Sequence, residues 1–247
     1  NKIGKAHGGS VHSKGFHPTA TTGIFACAAA GARLMGLDDV QTANALGLNI
    51  SQSAGSLQFM ANGSWNKRFH TGLAAHNAIL SLRMAQNGYL GAIEPIEGEF
   101  GYLNLYAGSE MNIAEATRGL GVEFEIMNTA VKPYPSCRYT HATIDAVTSL
   151  MAESRARTED VDNIQIEVGT VGLQMVAHPP ELKSNPKNVV EGQFSVYFAA
   201  AASIVDGHYR WSSYDLLNTP AVTELMNRTS IVYNPDLGDA LESCVTI

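Results

Sequence analysis

Cysteine is scarce in this chain of 247 residues, and the three that occur, Cys27, Cys137 and Cys244, are widely spaced and odd in number. Such spacing fits neither a disulfide framework nor a paired-cysteine metal site, so we predict three reduced thiols. Long apolar runs are missing too, because none reaches the roughly 18 residues that span a bilayer. The N-terminus also lacks the apolar core of a signal peptide. We therefore expect a cytoplasmic protein without a membrane partner, or a mitochondrial one if its source is eukaryotic.

Positive charge is the second shortage. Lys and Arg number 16 against 23 Asp and Glu, which gives a net charge of −7. A chain with that balance has no overall field that attracts nucleic acid, so we exclude a nucleic-acid partner. Any site for an anion must be built locally. The 45% of apolar residues is enough to bury one large core or two modest ones.

One local concentration of positive charge lies in the segment Asn62–Gly72, which contains Lys67, Arg68 and His70. The Ala- and Leu-rich stretch Leu73–Gln86 that follows is predicted to be a helix. A helix N-terminus carries unpaired N–H groups and positive partial charge, so basic residues just before it form a site for a carboxylate or phosphate. The alternative is that Lys67 and Arg68 are ordinary solvated charges beside a loop.

Two further helix starts carry basic residues. His12 and His17 precede a predicted helix that begins after Pro18. Lys132 and its neighbours surround another, which is predicted to run from about residue 137 to about residue 153 with Ser136 as its cap. The basic residues around this third start are Lys132, Arg138 and His141.

If these helix starts lie together, they offer fixed cations and neutral imidazoles to a substrate with several carboxylates. Removing a proton from the carbon next to a carboxylate builds negative charge, which a nearby Lys or Arg stabilises in the transition state. Histidine titrates near neutrality and can carry the proton. The residues therefore indicate β-elimination of water, epimerisation or decarboxylation without a cofactor.

Other interpretations of the same residues remain open at this point. His17 can hold its loop by hydrogen bonding, and His141 can pair on the helix surface with Asp145, one turn later. A nucleophilic pair of Cys137 and His141 is a further alternative, although such pairs usually come from distant segments.

The pattern of the chain changes near residue 120, from Ala- and Gly-rich helices to alternating apolar and polar residues. We predict an α+β protein with an all-helical domain over residues 1–125 followed by a smaller α/β domain over residues 126–247. Residues 194–205 are predicted to form a buried helix and residues 171–190 an irregular surface loop. The predicted strands are Val122–Ile126, Ile164–Val168, Ser230–Tyr233 and Cys244–Ile247.

Several segments, in order along the chain, resemble the MmgE/PrpD family. That family includes 2-methylcitrate dehydratase, cis-aconitate decarboxylase and iminodisuccinate epimerase. The segments that carry the resemblance are Gly15–Thr19, Gly63–Ala75, Glu97–Gly101, Lys132–Arg138 and Glu191–Ser195.

The resemblance implies a helical domain plus a smaller α/β domain, a homodimer and a metal-free site that needs no cofactor. It casts Lys67 as a cation that contacts substrate, His17 as a pocket histidine, and Lys132 and Arg138 as contributions from the second domain. Family members are longer and carry an N-terminal Asp-rich motif absent here, so we expect this chain to be a fragment. Cys137 replaces a histidine of the decarboxylase members, which weakens a decarboxylase assignment.

The sequence thus predicts a lyase or isomerase, similar to 2-methylcitrate dehydratase, that removes a proton next to a carboxylate of a small di- or tricarboxylate. The alternatives are cis-aconitate decarboxylase or iminodisuccinate epimerase activity, or an inactive module that binds carboxylates or supports assembly. The predicted catalytic residues are His17, Lys67, His70 and Arg138. The predicted substrate-binding residues are His12, Arg68, Lys132 and His141.

Overall fold

The computed structural model describes residues 1–238 and 241–247, with only the backbone given for Glu110. The chain divides into two units, Asn1–Thr129 and Ala130–Ile247, here called the N-terminal unit and the C-terminal unit. The first is helical and the second, smaller unit combines helices with a sheet, so the predicted α+β class is confirmed. The predicted boundary between residues 125 and 126 falls inside the 3-10 helix Glu125–Asn128.

Helices α3, α4 and α5 dominate the N-terminal unit, and short helical turns connect them. The α-helices are α1 (Lys2–Ala6), α2 (Ser10–Ser13), α3 (Pro18–Met35), α4 (Asp39–Asn49), α5 (Asn66–Gln86) and α6 (Ala114–Thr117). The 3-10 helices are Ile50–Gln52, Leu57–Ala61, Gly108–Glu110 and Glu125–Asn128, and Leu103–Ala107 is a π-helix.

Local signals in the sequence explain where α3 and α4 begin and end. Pro18 is the first residue of α3, where its missing N–H costs nothing, and Gly36 ends the helix in the left-handed region with a φ of 68°. Before α4, the Asp38 carboxylate accepts from the Gln41 backbone N–H and the Gln41 side chain accepts from the Asp38 N–H. This capping box satisfies two N–H groups that the helix leaves unpaired.

Small residues let α3 and α5 pack closely. A Cβ added at Gly31 would lie 2.4 Å from Leu82 Cδ1, and one at Gly23 would lie 3.6 Å from the Ala74 Cβ. A larger residue at Gly31 would therefore force the end of the Leu82 side chain to move. The main core of the unit is made of Ala6, Val11, Ile24, Phe25, Ala28, Ala74, Ala78, Tyr102 and Leu103.

Two predictions for this unit are wrong. Helix α5 begins at Asn66 rather than Leu73, so Lys67, Arg68 and His70 lie in its first two turns and not in the loop before it. Residues Val122–Ile126 form no strand, although their alternation is typical of one. Instead Glu125 is the first residue of a 3-10 helix, and its carboxylate forms ion pairs with Lys2 at 3.0 Å and Lys5 at 2.7 Å.

The C-terminal unit packs helices against a small sheet. Its α-helices are α7 (His141–Ser154), α8 (Thr170–Gly172), α9 (Pro180–Lys183), α10 (Val189–Gln193), α11 (Val196–Asp206) and α12 (Pro220–Asn227). Its strands are β1 (Ile164–Val168), β2 (Thr229–Tyr233) and β3 (Ser243–Thr246). The 3-10 helices are Arg138–Thr140, Thr158–Asp160, Trp211–Leu216 and Pro235–Leu237, and Leu173–Ala177 is a π-helix.

The sheet has the order β2-β1-β3, with β1 in the middle. Strand β1 pairs in parallel with β2, Ile164 opposite Thr229, and antiparallel with β3, Gln165 opposite Thr246. Alternate residues of β1 are buried, as the period of two predicts. The three strands expected in this unit are confirmed within a residue or two at their ends.

Helix α11 forms the centre of this unit's core, since every residue from Val196 to Ile204 is buried. Gly207 ends it with a φ of 69°, as a left-handed cap. The predicted loop over residues 171–190 is wrong, because α8, a π-helix and α9 occupy much of it. Among the described residues, no helix combines the length and apolar character needed to cross a membrane.

The predicted start of α7 is also wrong. A 3-10 helix, Arg138–Thr140, comes first and the α-helix begins only at His141. Ser136 is no helix cap, because its hydroxyl is hydrogen-bonded to the Thr140 hydroxyl at 2.8 Å. His141 is therefore the first residue of α7 rather than a residue of its second turn.

Candidate functional site

Two histidines, His17 and His70, meet inside the N-terminal unit, and we call them the histidine pair. His17 stands immediately before α3, held in an extended conformation as a residue before proline prefers. Its backbone N–H donates to the Gly55 carbonyl at 3.0 Å. His70 lies in the second turn of α5. The packing of α3 on α5 thus brings together residues that are 53 positions apart.

The contact within the pair is a hydrogen bond between like atoms. Nδ1 of His17 lies 3.0 Å from Nδ1 of His70. Since a hydrogen bond needs one donor and one acceptor, one ring carries its proton on Nδ1 and the other does not. The Phe59 ring packs edge-on against both, with centroid distances of 5.8 Å to His17 and 6.0 Å to His70. Only 9% of His17 and 6% of His70 is exposed.

The surroundings keep both imidazoles neutral. Burial lowers the pKa of His17 to about 4, and the electrostatic effects of His70, Lys67 and His12 act in the same direction. Burial also lowers the pKa of His70. At neutral pH the pair is therefore uncharged, and each ring has one bare and one protonated nitrogen.

Of the three other predicted site residues in this unit, Lys67 and His12 lie near the histidine pair and Arg68 contacts Trp65. Lys67, in the first turn of α5, and His12, in α2, are half-buried and close enough for their charges to act on His17. Arg68 is exposed and its guanidinium lies 5.7 Å from the centre of the Trp65 ring, a cation–π contact at the surface. The structure thus brings His12, His17, Lys67 and His70 together, while Arg68 contacts Trp65.

A tyrosine network supports the loop beside the pair, and sequence reasoning missed it. The Tyr102 hydroxyl is hydrogen-bonded to Thr21 Oγ1 at 2.8 Å, and its ring stacks on Tyr106 with centroids 4.9 Å apart. The Tyr106 hydroxyl donates to the Ser53 carbonyl. Burial raises the pKa of Tyr102 to about 12, so it remains a neutral donor or acceptor. These contacts tie α3 to the loop that carries Gly55.

The C-terminal unit contains the other predicted basic cluster. The Lys132 ammonium donates to the Ser136 carbonyl at 2.9 Å, which closes the loop before Arg138, and Arg138 itself is exposed. His141 is only 1% exposed. Neither of its ring nitrogens makes a hydrogen bond of ordinary geometry to a described residue, although the Ser136 backbone is close enough to favour its charged form.

His141 does not pair with Asp145, so that alternative is wrong. The Tyr134 hydroxyl donates to Asp145 Oδ1 at 2.5 Å, and the Tyr134 ring meets His141 edge-on with centroids 5.2 Å apart. Burial lowers the pKa of His141 first, and the charges of Arg138 and Lys132 lower it further. This histidine is therefore a neutral, sealed side chain.

Lys183 is a chemically notable residue that sequence reasoning missed, because it falls in a stretch expected to be a surface loop. It is only 8% exposed, and its ammonium donates to the Met175 carbonyl at 3.1 Å. It also lies 5.6 Å from the centre of the Phe194 ring. Burial lowers its pKa, while Cys137 and Glu191 oppose that shift. Nothing in the sequence marks a lysine as buried.

No disulfide joins the three cysteines, in agreement with the predicted reduced thiols. In residues 1–238 and 241–247, no group of three or more His, Cys, Asp or Glu side chains is arranged to hold a metal ion.

The chain has two parts, a helical unit that contains the histidine pair and an α/β unit that follows it. Both parts match family models: residues 2–114 match the MmgE/PrpD N-terminal domain and residues 134–247 the MmgE/PrpD C-terminal domain. The chain belongs to the MmgE/PrpD family, as the resemblance of its motifs predicts.

The curated relatives of the chain include fungal proteins. It is 27% identical to cis-aconitate decarboxylase of Aspergillus terreus, in an alignment that covers 93% of this chain and 49% of the relative. It is 25% identical to the cis-aconitate decarboxylase-like protein oryM of Aspergillus oryzae, with 95% of this chain and 51% of the relative covered. The chain spans about half the length of the curated relatives it matches.

Proposed function

We propose that this chain carries part or all of the site of a lyase or isomerase that acts on a small di- or tricarboxylate. The reaction begins with removal of a proton from the carbon next to a carboxylate. The observation that carries the proposal is the neutral, hydrogen-bonded histidine pair with the charge of Lys67 close to it. Family membership supports the same reaction class.

The low pKa of His17 at first argues against a base, because a group with a pKa of about 4 holds a proton weakly at pH 7. Burial is the main cause of the shift, and the electrostatic effects of His70, Lys67 and His12 add to it. A bound polycarboxylate would place negative charge near Lys67 and so offset the part of the shift that this lysine causes. Substrate binding would therefore raise the pKa of His17 and make it a better base at the moment of need.

Lys67 would bind a substrate carboxylate and stabilise the charge that builds on it as the proton leaves. A cation that interacts more strongly with the transition state than with the ground state increases the rate rather than the affinity alone. We also propose that Lys132 and Arg138 bind carboxylate groups. The Lys132 ammonium uses one N–H on Ser136 and has two more, and Arg138 is exposed.

The relatives named for cis-aconitate decarboxylase support an unsaturated tricarboxylate as one candidate substrate. Dehydration of a 2-methylcitrate-like acid and epimerisation share the first proton abstraction, whereas decarboxylation breaks a C–C bond and then needs a proton donor for the carbanion that remains. We place dehydration first because a neutral imidazole beside a fixed cation suits removal of a proton next to a carboxylate, which decarboxylation does not need.

The proposal is tested by carboxylate binding. Citrate, 2-methylcitrate, cis-aconitate and acetate are titrated by calorimetry against the wild-type chain, Lys67→Ala and Arg83→Ala. Arg83 lies in the last turn of the same helix, so it is a matched control for the loss of one positive charge. Removing a charge-assisted hydrogen bond costs roughly 1.5–3 kcal/mol, so Lys67→Ala is expected to weaken tricarboxylate binding about 10- to 150-fold.

Acetate is expected to bind weakly to all three proteins, because it has one carboxylate. If Lys67→Ala and Arg83→Ala bind tricarboxylates as tightly as the wild type, the proposed site is wrong. Tight binding in which the bound acid never exchanges a C–H proton with solvent would identify a carboxylate-binding module instead of an enzyme.

A further inference from the structure

We propose that His70 is a positioning residue for His17: its Nδ1 accepts the Nδ1–H of His17 and so fixes His17 as the base, with a bare Nε2. This inference rests on the proposed function and gives the two rings of the histidine pair different roles. Its starting point is the 3.0 Å contact between the two Nδ1 atoms.

The contact leaves only one of the two rings for a substrate. Because the rings meet through Nδ1, with their centroids 5.3 Å apart, the two Nε2 atoms lie at opposite ends of the pair and point away from each other. One small polycarboxylate therefore cannot reach both Nε2 atoms. If one imidazole removes the proton from the substrate, the other has to act through it.

The charged neighbours identify His17 as the ring for the substrate. Lys67 and His12 act electrostatically on His17, whereas the pKa of His70 is lowered by burial alone, although Lys67 belongs to the same helix as His70. Lys67 is the cation proposed to bind the carboxylate, so a substrate held there brings its C–H bond to His17 rather than to His70. The contact with His70 occupies Nδ1 of His17, which leaves Nε2 as the base.

The same charges favour one of the two tautomers that the hydrogen bond allows. A neutral imidazole carries one proton, so His17 has a bare Nε2 only if its Nδ1 is protonated and donates to His70. In the opposite tautomer, the proton on Nε2 would add positive partial charge to the end of the ring that is left for the substrate and Lys67. A lone pair beside a cation is the more favourable arrangement, so the bond to His70 sets the state of the nitrogen that reacts.

Packing holds both rings in this arrangement. The backbone N–H of His17 donates to the Gly55 carbonyl at 3.0 Å, and the Phe59 ring packs edge-on against both imidazoles. Gly55 has a φ of +153°, and a Cβ there would lie 2.4 Å from the Ala20 Cβ and 3.5 Å from Nδ1 of His70. A side chain at position 55 would therefore press against the atom that accepts the hydrogen bond.

In the reaction, His70 stabilises the charge that His17 gains. Nε2 of His17 takes the proton from the carbon next to the carboxylate, and the C–H electron pair stays on the substrate. His17 becomes an imidazolium, so its Nδ1–H then donates a charge-assisted hydrogen bond to the neutral ring of His70. No proton passes to His70, whose lone pair orients the base and offsets its charge.

Two substitutions separate positioning of His17 from simple packing. In His70→Asn the amide oxygen reaches the place of Nδ1 and can still accept from His17. In His70→Leu an apolar side chain fills similar space without an acceptor. His76 lies exposed on the same helix, so His76→Leu is the matched control.

Deuterium uptake at the carbon next to the carboxylate is measured in D2O with citrate and 2-methylcitrate, together with the Kd of each acid. His70→Leu is expected to slow uptake by about 10- to 150-fold, the usual effect of losing a hydrogen bond to a charged group, with little change in Kd. We expect His70→Asn to retain uptake within a few-fold and His76→Leu to match the wild type. Uptake at the wild-type rate in His70→Leu would overturn the positioning role, and so would an equal loss in His70→Asn.

The tautomer of His17 is measured without substrate by 15N NMR at pH 7. We expect a protonated Nδ1 and a bare Nε2 in the wild type and in His70→Asn, and a gain of the Nε2–H tautomer in His70→Leu. A wild-type His17 protonated on Nε2 would overturn the inference, even if the chain binds tricarboxylates. If the wild type binds none and exchanges no C–H proton, the proposed function fails, while the tautomers still decide whether His70 fixes a bare Nε2 on His17.

Discussion

Each unit buries a histidine at a helix start, and the two sites differ in what the imidazole contacts. His17 in the N-terminal unit shares a 3.0 Å hydrogen bond with His70, whereas neither ring nitrogen of His141 in the C-terminal unit makes a hydrogen bond of ordinary geometry to a described residue. Burial lowers the pKa in both places. A lowered pKa by itself therefore says little about proton transfer, and the hydrogen-bond partner decides.

The difference also concerns what closes each site. The histidine pair lies between two long helices beside a loop fixed by Tyr102 and Tyr106. His141 is enclosed by Tyr134, whose hydroxyl is engaged with Asp145. The first arrangement fixes the two imidazoles in one hydrogen bond. The second covers a neutral ring with an aromatic side chain, which is the packing of a core residue.

The largest expected difference between the histidine pair and an exposed histidine is in how the free energy of unfolding depends on pH. Unfolded histidine protonates near pH 6.5, whereas folded His17 protonates only at about 4, so the unfolded state binds more protons between these values. The contribution of neutral His17 to the free energy of unfolding is fully present above pH 6.5. This contribution, up to about 3 kcal/mol, is lost as the pH falls to about 4.

The measurement is urea unfolding of the wild type, His17→Gln and His76→Gln from pH 7 to pH 4. We expect His17→Gln to flatten the fall in unfolding free energy, while His76→Gln, which removes an exposed histidine, leaves it unchanged. An equal slope in all three chains would show that His17 titrates normally and would remove the distinction between the pair and a surface histidine.

A smaller effect compares the two sites by the same substitution. His70→Phe leaves Nδ1 of His17 buried without its partner and is expected to cost about 1–3 kcal/mol of unfolding free energy. His141→Phe keeps an aromatic ring and removes two nitrogens that make no hydrogen bond of ordinary geometry within the described part of the chain, so we expect a change within about 1 kcal/mol. Chemical denaturation at pH 7 measures both. Equal losses of unfolding free energy in the two variants would mean that His141 makes a hydrogen bond as important as the one between His70 and His17.

Local signals in the sequence were enough for much of the fold. The alternating residues of Ile164–Val168 predict a strand, which is confirmed as β1. The reciprocal contacts of Asp38 and Gln41 at the start of α4 also involve only neighbours in the chain. The false strand at Val122–Ile126 shows the limit of the same rule. Alternation predicts a strand only where a partner strand is available, and here Lys2 and Lys5 bind Glu125 instead.

The start of α5 was missed for a related reason. Trp65 precedes the helix without any side-chain cap, so the residues from Asn66 onward carry no start signal. The candidate site shows the greater difficulty. The basic residues of the pair's neighbourhood are visible in the sequence, but the contact between His17 and His70 depends on the packing of α3 against α5. The burial of Lys183 likewise depends on the packing around it, to which Phe194 contributes.

The central claim is that a neutral histidine pair next to Lys67 responds to a bound polycarboxylate. The most direct measurement is a pH titration of the His17 and His70 rings by 15N NMR, with and without saturating citrate. We predict that both rings are neutral at pH 7 in the free chain, with His17 protonating near pH 4, and that citrate raises the pKa of His17. A charged His17 at pH 7 in the free chain, or a His17 pKa that citrate leaves unchanged, would contradict the account.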